Sequence, residues 1–438
     1  MSIGTPGQSV KVDVDTGSNE LWVNPDCHDA KLAQEQVQEC EKDGRYNQHN
    51  SFSASKENIS SFGLLFGTTI QYGMGNVHLG YIRDRVSIPG SNPDNGIVLE
   101  NVQFGVATAS SELAEGILGL GFGFNVTLDY NNILDELVGQ GLTDTKAFSL
   151  ALGNVDADDG GVIIFGGVDT RKFTGTLRTV NMLAPPGPEN HGIISRYWVQ
   201  MTSVTLERSG DDSLKTGVGN IAGDGVDNDP ADLWVATPVI LDSGSTFSYL
   251  PERLHTAVTV VLDGRLDGGF TWVSCSHRTS NDVLRFAFGN RGDGIINEDS
   301  FTIKVPLKDF ILEVGNEDHD GDGDDIRRCL LGSIPIDDKQ SRDLPLLGDT
   351  FLRSAYVVFD QSTMTVSMAQ YANCGENVHN IPADGRGARG IVGECDASLA
   401  FGGPGESLAR RMLTPGAGTN YCVLMALGAV LLSYRIAL

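Results

Sequence analysis

The sequence predicts a mostly β protein built from two similar lobes, and three observations support this. Its 54 glycines among 438 residues indicate many turns and short strands rather than long helices. Segments such as 10–14 alternate in polarity with the period of a strand. An apolar strand leading into Asp-Thr/Ser-Gly-Ser occurs at 12–18 and again at 239–245, and each copy is followed by an apolar pair closed by glycine, at 117–119 and 346–348. Two halves with the same signals in the same order predict two lobes that each contribute half of one site.

Composition and charge exclude several classes of protein. With 40% hydrophobic and 20% charged residues, the chain is neither collagen-like, coiled-coil nor wholly disordered. A net charge of −26 would repel a phosphate backbone, so we expect no nucleic-acid partner. Residues 318–323 fit the opening of an EF-hand loop, but Cys329 occupies the position of the bidentate glutamate. We expect no metal and no cofactor.

The chain divides by composition into five segments. Short strands at 10–14 and 68–72 and a helix at 133–138 closed by Gly139 belong to the first lobe, and strand-like sequence resumes at 197–199. The prolines at 185, 186 and 188 interrupt regular structure and predict a linker. The predicted segments are an N-terminal lobe at 1–180, a linker at 181–192, a C-terminal lobe at 193–373, a polar tail at 374–420 and a hydrophobic segment at 421–438.

The cysteines and sequons favour an oxidising, secretory route. The order of the seven cysteines suggests the bridges Cys27–Cys40, Cys275–Cys329 and Cys374–Cys395, although sequence alone does not fix connectivity. Asn58 and Asn125 begin glycosylation sequons.

Both ends of the chain bear on its location. The start at Met1 has neither the basic nor the apolar region of a signal peptide, and we interpret it as truncated. The apolar run at 421–432 is shorter than the roughly 20 residues that span a bilayer, and small residues precede it. This pattern favours a GPI-attachment signal over a transmembrane helix, with a weakly apolar free tail as the alternative. We therefore predict an extracellular or cell-surface protein rather than a vacuolar one.

The repeated motif carries a specific chemistry. A strand that ends in Asp-Thr-Gly-Ser places a carboxylate on a tight turn, where backbone N–H groups and hydroxyls can donate to it. Two such carboxylates, Asp15 and Asp242, facing each other at about 3 Å cannot both ionise and share a proton. The ionised one can take a proton from water while the protonated one donates to a carbonyl oxygen. Such a pair predicts hydrolysis without a metal or a covalent nucleophile.

These motifs resemble those of the pepsin-like aspartic endopeptidases, particularly secreted or surface-anchored fungal members. The resemblance runs from Ile3 to about Gln370, and further matching segments lie at 3–6, 21–23, 70–75, 115–120, 165–169 and 347–353. It implies a bilobal fold of two β-barrel-like lobes with a cleft between them. It also implies an acid-active endopeptidase, monomeric, that cleaves polypeptides with apolar side chains around the scissile bond.

Carried over residue by residue, the resemblance implies that Asp15 and Asp242 bind and activate the water. The residues implied to support these carboxylates are Thr16, Gly17, Ser18, Ser243, Gly244 and Ser245. In this assignment the serines at 18 and 245 bond the outer carboxylate oxygens, and Thr16 and Ser243 lock the two turns together. The residues implied to form or support a flap over the substrate are Trp22, Tyr72, Gly73 and Met74.

The chain departs from the family pattern in places. Met74 stands where a small polar or acidic residue is usual, Glu115 replaces a more common aspartate, and the family's first strand, signal and propeptide do not precede Ile3. These departures leave open an alternative, a catalytically impaired binding or adhesion protein on the same fold. The intact Asp15 and Asp242 favour the enzyme.

Overall fold

The computed structural model describes residues 1–29, 31–55, 67–90, 96–155, 161–185, 191–209, 219–220, 237–289, 300–314, 328–336 and 344–400. They form two compact units, one from Met1 to Lys146 and a second that begins at Ala147. The sequon at Asn58, the EF-hand-like segment at 318–323 and the tail beyond residue 400 lie outside the described ranges.

The first unit is built around one eight-stranded sheet. Its strands run in the order β2-β1-β6-β7-β4-β8-β3, and β5 pairs with β6. The elements are β1 Ser2–Ile3, β2 Gln8–Ser9, β3 Val12–Asp15, β4 Leu21–Val23, α1 Gln34–Lys42, β5 Thr68–Gln71, β6 Asn76–Ile88, β7 Ile97–Ser111, β8 Gly116–Gly119 and α2 Ile133–Gly139.

The long hairpin of β6 and β7 carries much of the core of the first unit. Alternate residues of β6 are buried, as the period of a pleated strand requires, and Val77, Leu79 and Tyr81 project from one face into a cluster with Trp22 and Tyr130. Burial of each such side chain contributes roughly 1.5–3 kcal/mol. The cluster therefore anchors the hairpin to the strand that follows the first Asp-Thr-Gly-Ser motif.

Helix α2 shows how local sequence fixes an element. Asn132 caps it by accepting from the N–H of Asp135, while the Asp135 carboxylate accepts from the N–H of Asn132. Ile133, Leu134 and Leu137 are buried on its inner face. The helix predicted at 133–138 is confirmed.

The second unit contains several sheets. Its strands are β9 Ala147–Ala151, β10 Val162–Phe165, β11 Gly167–Asp169, β12 Phe173–Asn181, β13 Trp198–Glu207, β14 Gly219–Asn220, β15 Thr237–Leu241, β16 Ser248–Pro251, β17 Arg265–Asp267, β18 Phe270–Val273, β19 Val283–Phe288, β20 Phe301–Pro306, β21 Ile311–Val314, β22 Arg328–Leu331, β23 Ser333–Ile336, β24 Leu346–Leu347, β25 Ala355–Asp360, β26 Thr365–Tyr371 and β27 Val378–Asn380. Its helices are α3 Glu252–Val261, α4 Leu307–Phe310 and α5 Asp349–Leu352.

One sheet of the second unit joins segments that are far apart in sequence. It runs β10-β9-β25-β26-β12, so residues 147–181 pair with residues 355–371. An eight-stranded sheet follows the order β20-β19-β13-β15-β24-β16-β23, with β14 beside β13, and a four-stranded sheet runs β17-β18-β22-β21. The lobe boundaries predicted at 180 and 193 stay predictions.

Candidate active site

The first Asp-Thr-Gly-Ser motif lies at the end of β3. This strand pairs in parallel with β8, and after it the chain turns so that the N–H of Gly17 donates to Oδ1 of Asp15 at 2.7 Å. The N–H of Leu120, just past β8, donates to the backbone oxygen of Asp15 at 2.8 Å. Asp15 is buried, being 5% exposed. The buried carboxyl group of Asp15 is thus held by one backbone donor, and a second donor holds the backbone of the same residue.

The second copy of the motif forms the same arrangement in the second unit. Strand β15 pairs in parallel with β24, and the N–H of Asp242 donates to the oxygen of Leu347 at 3.0 Å. The N–H of Gly244 then donates to Oδ1 of Asp242 at 3.0 Å, and the Ser245 hydroxyl donates to Oδ2 at 3.0 Å. Asp242 is half-buried. The sequence repeat is therefore a repeat of local structure.

A glycine closes each apolar pair because a side chain at that position would clash with the aspartate turn. A Cβ on Gly119 would lie 2.4 Å from the backbone nitrogen of Glu20, within the turn after β3. A Cβ on Gly348 would lie 2.2 Å from the oxygen of Ser245. Real side chains do not approach so closely, so the chain passes each aspartate turn, at the end of β8 or just after β24, at a point where only glycine fits.

The two motif serines differ in their contacts. Ser245 donates to its aspartate, as the resemblance implies. The Ser18 hydroxyl oxygen is buried, and within the described residues it has no hydrogen bond of good geometry, although it lies near enough to the Tyr72 hydroxyl to lower the pKa of that phenol. Thr16 is buried and Ser243 is half-buried. The predicted lock between Thr16 and Ser243 would join the two units and stays a prediction.

Of the predicted flap residues, Tyr72, Gly73 and Met74 occupy the turn between β5 and β6, and Trp22 lies on β4. The N–H of Tyr72 donates to the oxygen of Gly75 at 2.8 Å, and the Gln71 amide donates to the same oxygen at 2.9 Å. The indole N–H of the fully buried Trp22 donates to the Tyr72 hydroxyl at 2.8 Å. Gly73 and Met74 are exposed at the tip, Met74 to 40%.

The electrostatics of Tyr72 tie the hairpin to the first motif. Burial raises the pKa of its phenol far above the ordinary value, and the negative charges of Asp15 and Glu20 raise it further, against the hydrogen bond from Trp22 and the nearby Ser18 hydroxyl. The hydroxyl therefore stays protonated and can donate. Because the charge of Asp15 raises the pKa of Tyr72, the phenol lies near enough to the first motif to interact with it electrostatically.

Comparisons with known proteins agree with this geometry. The family model described as eukaryotic aspartyl protease matches residues 1–371. The chain belongs to this family.

Three curated fungal relatives are similar to this aspartyl protease over most of its length. The probable aspartic-type endopeptidase opsB of Aspergillus oryzae is 28% identical over all of this chain and 85% of that protein. The acid protease of Saccharomycopsis fibuligera is 29% identical over 84% of this chain and 79% of its own. Secreted aspartic protease 8 of Candida albicans is 29% identical over 84% of this chain and 74% of its own.

A solved structure shows the fold. The aspartic proteinase from Irpex lacteus superposes with a TM-score of 0.57 at 16% identity, covering 84% of this chain and 92% of that one. The mostly β, pepsin-like fold class predicted from the sequence is confirmed, and so is the assignment to the aspartic endopeptidases.

Two carboxyl groups of this aspartyl protease were missed by sequence reasoning. Glu20 is 7% exposed and accepts from the hydroxyls of Tyr81 and Tyr130; burial raises its pKa, against the pull of those hydroxyls. Asp349 is also buried, its N–H donates to the oxygen of Ser245, and burial raises the pKa of its carboxyl to about 7. The sequence signal for both is an acidic residue that lies beside a motif and shortly before apolar residues.

The disulfides of the aspartyl protease follow the predicted order. Cys27–Cys40, Cys275–Cys329 and Cys374–Cys395 have Cα separations of 5.5, 5.3 and 5.7 Å, and the three pairings are confirmed. Asn125 is exposed. The described ranges contain no cluster of His, Cys, Asp or Glu suited to a metal ion, and no helix within them is both long and apolar enough to cross a bilayer.

Proposed function

We propose that this aspartyl protease is a secreted endopeptidase active at acid pH, and that Asp15 and Asp242 hold and activate the attacking water. The observation that carries the proposal is the equivalence of the two turns. In each unit an aspartate at a strand end accepts through Oδ1 from the glycine two residues on, at 2.7 Å for Asp15 and 3.0 Å for Asp242. Because the chain belongs to the eukaryotic aspartyl protease family, we assign the chemistry of that family to this pair of turns.

In the proposed mechanism the two aspartates share one proton, the arrangement for which aspartic proteases are the standard example. The ionised carboxylate takes a proton from the water as it attacks the peptide carbonyl carbon. The protonated carboxyl donates to the carbonyl oxygen, which gives a tetrahedral diol. The carboxyl that took the proton from water then passes it to the leaving nitrogen as the C–N bond breaks, and the other carboxylate takes a proton from a diol hydroxyl, so the pair again shares one proton. The N–H groups of Gly17 and Gly244 each hold one oxygen, Oδ1, of their aspartate in place before substrate arrives.

Tyr72 is proposed to close over the bound polypeptide. Its hydroxyl already has a partner in Trp22, so the ring orientation does not have to be set at the moment of binding. Closure of the hairpin would exclude water and position the scissile bond. The exposed apolar side chain of Met74 at the tip supports a preference for apolar residues around that bond.

A secretory route is proposed from chemistry and from relatives. The three disulfides suit an oxidising compartment, and one relative is described as a secreted aspartic protease. The exposed Asn125 supports glycosylation at that sequon. We also propose that the enzyme is monomeric and matures from a zymogen. Attachment through a GPI signal at the C-terminal segment is the last part of the proposal.

The test is hydrolysis of an unfolded protein substrate between about pH 3 and pH 6, where a shared-proton carboxyl pair operates. Asp15→Asn and Asp242→Asn should each lower kcat/KM by at least about 100-fold, the lower bound for loss of a general acid or base. A statine-type inhibitor should block the wild-type protein, and Asp267→Asn, at an exposed aspartate of β17, should keep full activity. A folded, processed protein that binds polypeptides but shows no inhibitor-sensitive cleavage would establish the binding-protein alternative.

A further inference from the structure

Glu20 stands out because its carboxyl is buried where two tyrosine hydroxyls meet. The Tyr81 hydroxyl donates to Oε2 at 2.7 Å, and the Tyr130 hydroxyl donates to the same oxygen. The two tyrosine rings pack edge to face with centroids 5.6 Å apart. All three groups are less than 10% exposed. Burial of a carboxyl is costly unless it is hydrogen-bonded, and here both bonds come from distant parts of the chain.

The position of Glu20 links two parts of the candidate site. It lies between the turn of Asp15 and strand β4, and its backbone oxygen accepts from the N–H of Gly119 at 3.0 Å. Tyr81 lies on β6, the strand that continues from the flap turn. The carboxyl therefore joins the segment that carries Asp15 to the base of the hairpin that carries Tyr72.

The same cluster supports the contact that fixes the flap tyrosine. Trp22, two residues after Glu20, packs with Tyr81 and Tyr130 in one buried cluster, and Tyr72 packs against that cluster. The Trp22 indole then donates to the Tyr72 hydroxyl. A shift of β6 relative to the Glu20 segment would change the distance between these two groups.

We propose that Glu20 is a positioning residue for the flap: its carboxyl holds β6 against the segment carrying Asp15 and Trp22, and so sets where Tyr72 lies. The expected effect on kcat/KM rests on the proposed peptidase function, whereas the expected effect on the position of the hairpin does not. Glu20 does not touch the reacting atoms in this assignment.

A purely structural role is the competing explanation, and the chain offers a matched control for it. Asp84, like Tyr81, lies on β6. Its carboxyl is fully buried and accepts from the Tyr46 hydroxyl at 2.7 Å. That pair has the same chemistry as Glu20 with Tyr81. It involves neither the flap turn nor the Glu20 segment.

The experiment compares three single hydroxyl deletions, Tyr81→Phe, Tyr130→Phe and Tyr46→Phe, each of which keeps the ring. Amide hydrogen exchange at the flap turn, monitored at the N–H of Tyr72, measures hairpin opening without any need for catalysis. We expect Tyr81→Phe to speed this exchange by about 10-fold, the scale of one hydrogen bond to a carboxyl group. Tyr130→Phe should have a smaller effect because its ring is not on the flap strand, and Tyr46→Phe should leave the exchange unchanged.

Substitution of the carboxyl itself gives a second measurement. Glu20→Leu removes both bonds and should lower kcat/KM by about 10- to 100-fold, whereas Glu20→Gln, which keeps a carbonyl acceptor, should recover most of the loss. Equal effects of Tyr81→Phe and Tyr46→Phe on flap exchange would overturn the proposal. If the wild-type protein proves inactive, the proposed function fails, while the exchange data still decide the role of Glu20.

Discussion

The buried carboxyl of Asp349 should make the stability of the protein depend on pH, and Asp349→Asn should remove that dependence. Burial raises the pKa of this group to about 7, and the nearby positive charge of Arg353 only partly opposes the rise. Within the described residues, Oδ1 of Asp349 has no hydrogen-bond partner. Burial is therefore the cause of the rise in the pKa of Asp349.

The size of the effect follows from linkage between protonation and folding. The gap between about 7 in the folded protein and the ordinary value of 3.8 corresponds to about 4 kcal/mol, at 1.36 kcal/mol for each pKa unit. Because the folded state holds the proton more tightly than the unfolded chain, this stabilisation is fully present below pH 3.8 and is lost as the pH rises through 7. An asparagine, neutral at every pH, cannot show this loss.

The assay is the free energy of unfolding by urea at a series of values from about pH 4 to about pH 7. An Asp15→Asn background prevents self-digestion in all variants. As the pH rises across this range, the free energy of unfolding of the Asp349→Asn variant should exceed that of its background by an increasing amount, up to about 4 kcal/mol. Asp360→Asn is the matched control, since its buried carboxylate accepts from the N–H groups of Ser362 and Thr363 and should not produce such a gain. If the free energies of unfolding of Asp349→Asn and its background differ by the same amount at both ends of the range, the reasoning is refuted.

Two further predictions concern the flap and a disulfide. Trp22→Phe removes the donor to the Tyr72 hydroxyl and should lower kcat/KM by about 2- to 10-fold, the scale of one neutral hydrogen bond; unchanged steady-state kinetics would argue against that contact. Replacing Cys27 and Cys40 with alanine opens a 13-residue loop and should cost about 3 kcal/mol in urea unfolding, and a stability equal to the wild-type value would contradict the bridge.

Much of the fold and of each half-site is predictable from local sequence because the signals are local. The Asp-Thr/Ser-Gly-Ser turns, the flap turn at Tyr72 and helix α2 each depend on a few consecutive residues whose side chains bond to their own segment. The closing glycines were also visible in the sequence. Their reason, the close crossing of the chain over each turn, appears only in three dimensions.

The partners of Glu20 were beyond sequence reasoning for a physical reason. Tyr81 and Tyr130 are 61 and 110 residues away, and neither periodicity nor turn chemistry carries information about which distant hydroxyl will meet a buried carboxyl. The same limit applies to the sheet that pairs β9 with β25. Long-range pairings of this kind depend on the packing of the whole unit rather than on any one segment.

The glycine crossings at Gly119 and Gly348 constrain how such an enzyme can diversify. Because the backbone at both glycines lies directly against an aspartate turn, even one added methyl group would have to displace the turn itself. Mutation therefore has almost no freedom at these two points. A change of specificity is therefore expected from substitutions at exposed positions, for example at the tip around Met74, and not from these two glycines.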